Sequence, residues 1–369
     1  MKSLAIATTF VLLLTAITEA KVIENAETGK PAIQSINAIS FAPEGVLLIG
    51  DGRGKQIIAI ETGDTKAQGG LQKKIVGITE KMAGLIGAKA AGIELLDMAV
   101  NPASGTAYFA VRKQDSKTHL IFTVDSKGKI SEFELDKVSY ARLELTAAEG
   151  VVSLVTDVAW AEDRVIAAGR SNETFGSKIF SIDAPLKHGA KSRAYSAETY
   201  HVSHRRWETK APMSVILPLK ENDKTYVVGA FSCTPVVKYP LDAIQPNAKV
   251  KGSSVIELGS GNRPIDMFVY KKAGKSYVLS NTFRFHHERK PFGPSPYWTV
   301  KFEQSLLLGN ETVNEKAVRR LKGDKATTDR IQMVDEYHGV MQMDQLDEER
   351  ALVIRKTETG ADLEPLALP

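Results

Sequence analysis

The chain has 369 residues, 25% charged and 43% hydrophobic, and its 48 basic and 44 acidic side chains give a formal net charge of +4. That balance is ordinary for a folded globular protein, and so small and dispersed a positive excess gives no footing for a nucleic-acid partner. The single cysteine, Cys233, excludes an internal disulfide, a C-x-x-C-H haem attachment and any multi-cysteine zinc or iron–sulfur site.

Residues 1–20 read as a signal peptide. Lys2 supplies the positive start, residues 4–17 are apolar and uncharged, and Thr18-Glu19-Ala20 sets small residues at the −3 and −1 positions of a cut after Ala20. The apolar run is short for a membrane span, and no later stretch approaches membrane length. The expectation is a mature chain, residues 21–369, forming a single periplasmic or secreted domain with no transmembrane segment.

After the cut the chain repeats one weak unit: an alternating apolar strand, a turn, a second strand, a polar loop and a third strand. The first unit is 36–42, 46–50 and 56–60, with Pro43-Glu44-Gly45 as the tight turn. The others are 96–101, 106–111 and 119–124; 156–161, 164–169 and 177–182; 213–219, 225–230 and 235–240; 265–270, 276–280 and 297–302; and 340–345, 351–354 and 362–366. Fourth strands are expected at 73–78, 129–135, 194–202, 254–258 and 317–322, and helices only at 79–91 and 313–321. The ring positions of the six first strands, the second residue in five and the third in the last, are Asn37, Asp97, Asp157, Ser214, Asp266 and Gln342, spaced by 60, 60, 57, 52 and 76 residues. That period exceeds a WD40 blade and predicts blades with long connections. The reading is all-β, a six-bladed β-propeller, with seven blades as the alternative because the last gap could hold one more. The sixth unit lacks a fourth strand. Lys21-Val22-Ile23-Glu24 resembles Ser254-Val255-Ile256-Glu257, so the mature N-terminal strand is expected to close the ring and leave no open edge.

Ser40-Phe41-Ala42-Pro43-Glu44-Gly45-Val46-Leu47-Leu48-Ile49-Gly50-Asp51 resembles the phrase that opens blades in NHL-repeat, SMP-30-like and TolB-like six-bladed propellers. Trp207 to Pro212, Cys233-Thr234-Pro235 and Asn262 to Met267 resemble segments of secreted bacterial propellers of unassigned function. The first resemblance spans the mature chain and implies the fold; neither implies a mechanism.

In a propeller the inner strands line a central channel and the loops at one end shape a site. Asp97, Asp157 and Asp266 are therefore candidate ligands for Ca²⁺ or a first-row divalent metal, with backbone capping as the bland reading of the same residues. His201, His204, Arg205, Trp207 and Glu208 precede the fourth unit, and Asn262 and Arg263 precede the fifth. Together they are expected to build a polar site at the channel mouth. Imidazoles and a carboxylate suit a metal, guanidinium forks suit carboxylate or phosphate, and an indole can stack or simply pack. His286, His287 and His338 could add to such a set. Cys233 as a nucleophile would need a base that nothing in the sequence supplies, and no G-x-S-x-G, P-loop or dinucleotide motif is present. The expectation is a binding or scaffold protein for a small polar ligand or a protein partner. The alternative is a metal-dependent hydrolase of the lactonase or esterase kind. The SMP-30-like resemblance would imply a Glu near the start of the first inner strand, and residues 35–37 have none.

Overall fold

The computed structural model describes residues 21–147, 149–232, 235–245, 248–259, 261–289, 291, 293–307, 317–319 and 330–369. Residues 1–20, expected to be a signal peptide, and Cys233 lie outside them. So does most of the expected helix 313–321 and strand 317–322; the part described there, Val318–Arg319, is a short strand beside Lys249–Glu257.

The architecture is all-β, its sheets in a propeller arrangement, and each predicted triplet is an antiparallel meander. The first is Ala38–Ala42, Val46–Asp51 and Gln56–Glu61, with Ile39 opposite Ile49 and Ile49 opposite Ile58. Every residue of its middle strand is buried, which is why it reads as a continuous apolar run. Gly45 at its turn has φ 66°, and a Cβ there would come within 2.7 Å of the Asp64 carbonyl oxygen. The helix Ile78–Leu85 is shorter than expected. Gly87, at φ 65°, lets the Ala88 N–H reach the Ala83 carbonyl and ends it.

The first strands of the meanders form a closed cycle that does not follow chain order. Ala38–Ala42 lies between Ile93–Val100 and Val152–Ala161. From there the cycle runs through Met213–Glu221, Asn262–Lys272 and Val340–Gln345, then back to Ile93–Val100. Among the described residues six apolar cores match these contacts one by one. Leu48 and Ile57 pack with Val155 and Phe180 between the first and third meanders. Leu352 and Leu363 pack with Phe109 and Phe122 between the sixth and second. The first and second meanders have therefore exchanged places around the ring.

This exchange corrects the expected closure. Residues 73–78 do not cover the first meander; Ile75 bridges Leu363 on the last strand of the sixth, Ala361–Ala367. Lys74 Nζ sits 2.7 Å from Asp362 Oδ2 and 2.6 Å from Glu364 Oε1. The first meander is covered by Val138–Thr146, which arrives only after the second meander is complete. The N-terminal strand Ile23–Glu24 runs parallel to Leu186–Lys187 instead of closing the ring, because Val22 and Ile23 are buried in the core shared by the first and third meanders. On the fifth, Ile331–Met333 takes the outer place expected of 317–322. No helix of the described residues is long and apolar enough to cross a membrane.

Candidate functional site: the central cavity

The cycle of first strands encloses a cavity of about 260 Å³, and all six ring positions, Asn37, Asp97, Asp157, Ser214, Asp266 and Gln342, line it with Thr156 and Arg263. Their convergence has a local cause. The register shifts at this level in five of the six first strands: between Leu95 and Asp97, Val155 and Asp157, Met213 and Val215, Pro264 and Met267, and Val340 and Gln342. A bulge re-aims a side chain that a regular pleat would turn aside.

Each aspartate staples its sheet to the next. The Ile39 N–H donates to Asp97 Oδ2 at 2.7 Å, that of Ile216 to Asp157 Oδ2 at 2.7 Å, and that of Met343 to Asp266 Oδ2 at 2.8 Å. A fourth staple, which the sequence reading missed, is Asp344, whose Oδ2 accepts from the Val100 N–H at 2.7 Å. The available signal was a carboxylate in the weakest first strand, two residues past the position aligned with the other acids. The second oxygens of Asp97, Asp157 and Asp344 accept from Met98, Val158 and Gln345.

Burial is the main reason these carboxyls bind protons tightly. It pushes Asp157 up to about 7 and Asp344 to about 6. Asp97 and Asp266 go well above the usual carboxylate range, helped by repulsion among the ring acids. As a cation cage the ring is a poor fit. Most of its carboxylate oxygens already accept backbone N–H groups, and among the described residues no three His, Cys, Asp or Glu are placed to hold one ion.

Arg263 lines the cavity and carries its guanidinium 5.7 Å from the ring centre of Phe285, a side chain 52% exposed. An Arg263–Asp266 ion pair is not found among the described residues.

The remaining predicted residues stand elsewhere. His201, Trp207 and Glu208 belong to Tyr195–His201 and Arg206–Glu208, at the outer edge of the third sheet. Three strand spacings, about 14 Å, separate that edge from the first strand. There His201 Nε2 is 3.1 Å from Glu257 Oε2, and Nδ1 is 3.7 Å from Glu208 Oε2. His204 stacks on His201 with ring centres 4.2 Å apart. The hydrogen bond from His201, with the Ala211 and Lys210 N–H groups, holds the Glu208 carboxyl down at about 2. Arg205 sits at the hairpin turn with φ 53°, and Trp207 meets Tyr200 edge-on. Asn262 is fully buried and donates to the carbonyls of Leu258 and Gly259. So the structure separates Arg263 and the ring acids from the histidine cluster, which straps the outer strands of the third and fourth sheets together.

No family model matches the chain, and no curated protein matches it. Among solved structures it is similar to an exo-1,5-alpha-L-arabinanase from a bovine ruminal metagenomic library, at 10% identity over 76% of this chain and 95% of that one, with a TM-score of 0.38. It is similar to the extracellular domains 1-2 of Drosophila semaphorin 1b, at 9% identity over 95% and 88%, TM-score 0.41. The Trypanosoma rangeli sialidase in complex with sialic acid aligns at 9% identity over 94% and 57%, TM-score 0.37. Likeness this remote carries no argument about what the chain does.

Proposed function

We propose that the mature protein is an exported six-bladed β-propeller of the binding or scaffold kind, taking a small polar ligand, or the polar loop of a partner, into its central cavity. The observation that carries this reading is the convergence of the six ring residues on one cavity of about 260 Å³. Within it the Gln342 amide is oriented by donating to the Leu96 carbonyl at 3.1 Å, which leaves Oε1 without a partner among the described residues. Ring carboxyls with raised proton affinity can donate as well as accept near neutral pH, and Arg263 at the wall offers a fork for carboxylate or phosphate. The rigid frame supplies geometry and the site supplies specificity. Export rests on residues 1–20. A hydrolase is the second reading, favoured by the Asp157 carboxyl at about 7, the range of a general acid or base. It would turn over lactones or aryl esters.

The test is a thermal-shift screen with small polar metabolites on the wild type and Gln342→Leu. Compounds that raise the wild-type melting temperature and lose that effect in the variant support the reading. A screen without stabilisers, or with equal shifts in both proteins, overturns it.

A further inference from the structure

A second cleft, of about 540 Å³, opens at the outer edge of the third sheet, away from the central cavity. It exists because two strands part early. Ser177–Asp183 meets Tyr195–His201 only at Lys178↔Ser196 and Ile179↔Tyr195, while Lys191–Arg193 leaves to pair with Val138–Thr146. On its other side Tyr195–His201 runs parallel to Lys249–Glu257, with Ser196 opposite Lys249 and Glu198 opposite Lys251. Ser196 and Glu198 are two residues apart, so both side chains take one face, and both line the cleft.

Glu198 is the unusual group. It is 6% exposed, and the hydrogen bond it accepts from the Ser196 hydroxyl is a long one, at 3.4 Å. The cations nearest in the sheet are committed elsewhere. Lys178, also buried, pairs with Glu173. Lys251 holds its ammonium 5.5 Å over the Trp207 ring. Among the described residues Glu198 therefore has no ion-pair partner, and a buried carboxylate without one is costly. Arg193 and Lys249 stand exposed at the rim, also outside the ion pairs of the described residues, and half-buried Phe175 forms part of the wall. A buried anion, cations at the rim and an aromatic wall complement a ligand carrying ammonium, carboxylate and an apolar side chain. Lys249 stands opposite Ser196, one strand over from Glu198 and two residues, about 7 Å, back along it, so the cation and the anion flank the space for one ligand.

We propose that this cleft binds an α-amino acid, its ammonium on Glu198, its carboxylate on Arg193 and Lys249, and its side chain against Phe175. Calorimetric titration of the mature protein with L-phenylalanine and L-leucine tests it, beside phenethylamine and 3-phenylpropionate. Saturable binding of an amino acid is expected, weakened about tenfold or more in Glu198→Gln. Arg193→Ala/Lys249→Ala changes only exposed positions, so it keeps the fold; it should weaken the amino acids while sparing phenethylamine. Gln342→Leu, in the central cavity, should leave the affinity unchanged. No binding of either amino acid, equal affinity in the rim variant, or loss in Gln342→Leu would overturn the assignment.

Discussion

The stretch 152–333 and the stretch 38–146 build the same meander but close it differently. In the former, each sheet takes its outer strand from the segment that follows its own triplet: Tyr195–His201, Lys249–Glu257 and Ile331–Met333. In the latter, the whole second meander is inserted between the third strand of the first, Gln56–Glu61, and its outer strand, Val138–Thr146. On the way, residues 73–78 reach the sixth meander at the far end of the chain. Loop-closure entropy grows only slowly with length, so such a detour is tolerated once its ends are well buried. The consequence is that the C-terminal meander is held by the N-terminal part of the chain, while the middle sheets are held by their own neighbours in sequence.

The core between the sixth and second meanders is where that difference should break first. Leu363 is fully buried there with Ile78 and Met82 of the helix. Leu363→Ala is expected to cost about 2–5 kcal/mol, read by chemical denaturation. If the sixth meander were held without the 73–85 segment, the loss would fall well below that range.

The staples should give an effect of comparable size. Asp157→Ala leaves the N–H groups of Ile216 and Val158 without their acceptor, at about 1–3 kcal/mol each. Asp157→Asn keeps one carbonyl acceptor and should cost less. Equal stability of both variants and the wild type would remove the staple from the account.

The third effect expected is on pH dependence. Asp157 near 7 and Asp344 near 6, with Asp97 and Asp266 raised further, contrast with about 3.9 for an unfolded aspartate. Between about pH 4 and 7 the folded ring holds protons that the unfolded chain releases, so stability falls as pH rises through that window. The melting temperature should be higher at pH 5 than at pH 8, by a margin that narrows in Asp157→Asn. A rise from pH 5 to 8 would contradict the desolvated ring.

Much of this was legible because alternation and turn chemistry are local. The Pro43-Glu44-Gly45 turn marked the first hairpin, and the shared position of Asn37, Asp97, Asp157, Ser214, Asp266 and Gln342 marked the cavity wall. Ring order was not legible. Residues 21–24 and 73–78 are both short, apolar and strand-like, and which edge each one covers is decided by the packing of Val22, Ile23 and Leu363 across the molecule. His201 and Glu208 were expected at the cavity because they precede an inner strand in sequence. The hairpin His201–Arg206 turns them back along the outer edge instead. Asp344 was missed because it stands two residues past Gln342, the residue that follows the register shift in its strand as Asp97 and Asp157 follow theirs.

The exchanged ring order is the claim on which the staples and the cavity wall depend, and a zero-length carbodiimide cross-linker on the unmodified protein, followed by peptide mass spectrometry, tests it most directly. The account predicts an amide between Lys74 and Asp362 or Glu364, whose charged groups are 2.7 and 2.6 Å apart. Links from Lys21 to Asp362 or Glu364, with none from Lys74, would put the N-terminal strand on that edge and contradict the order described.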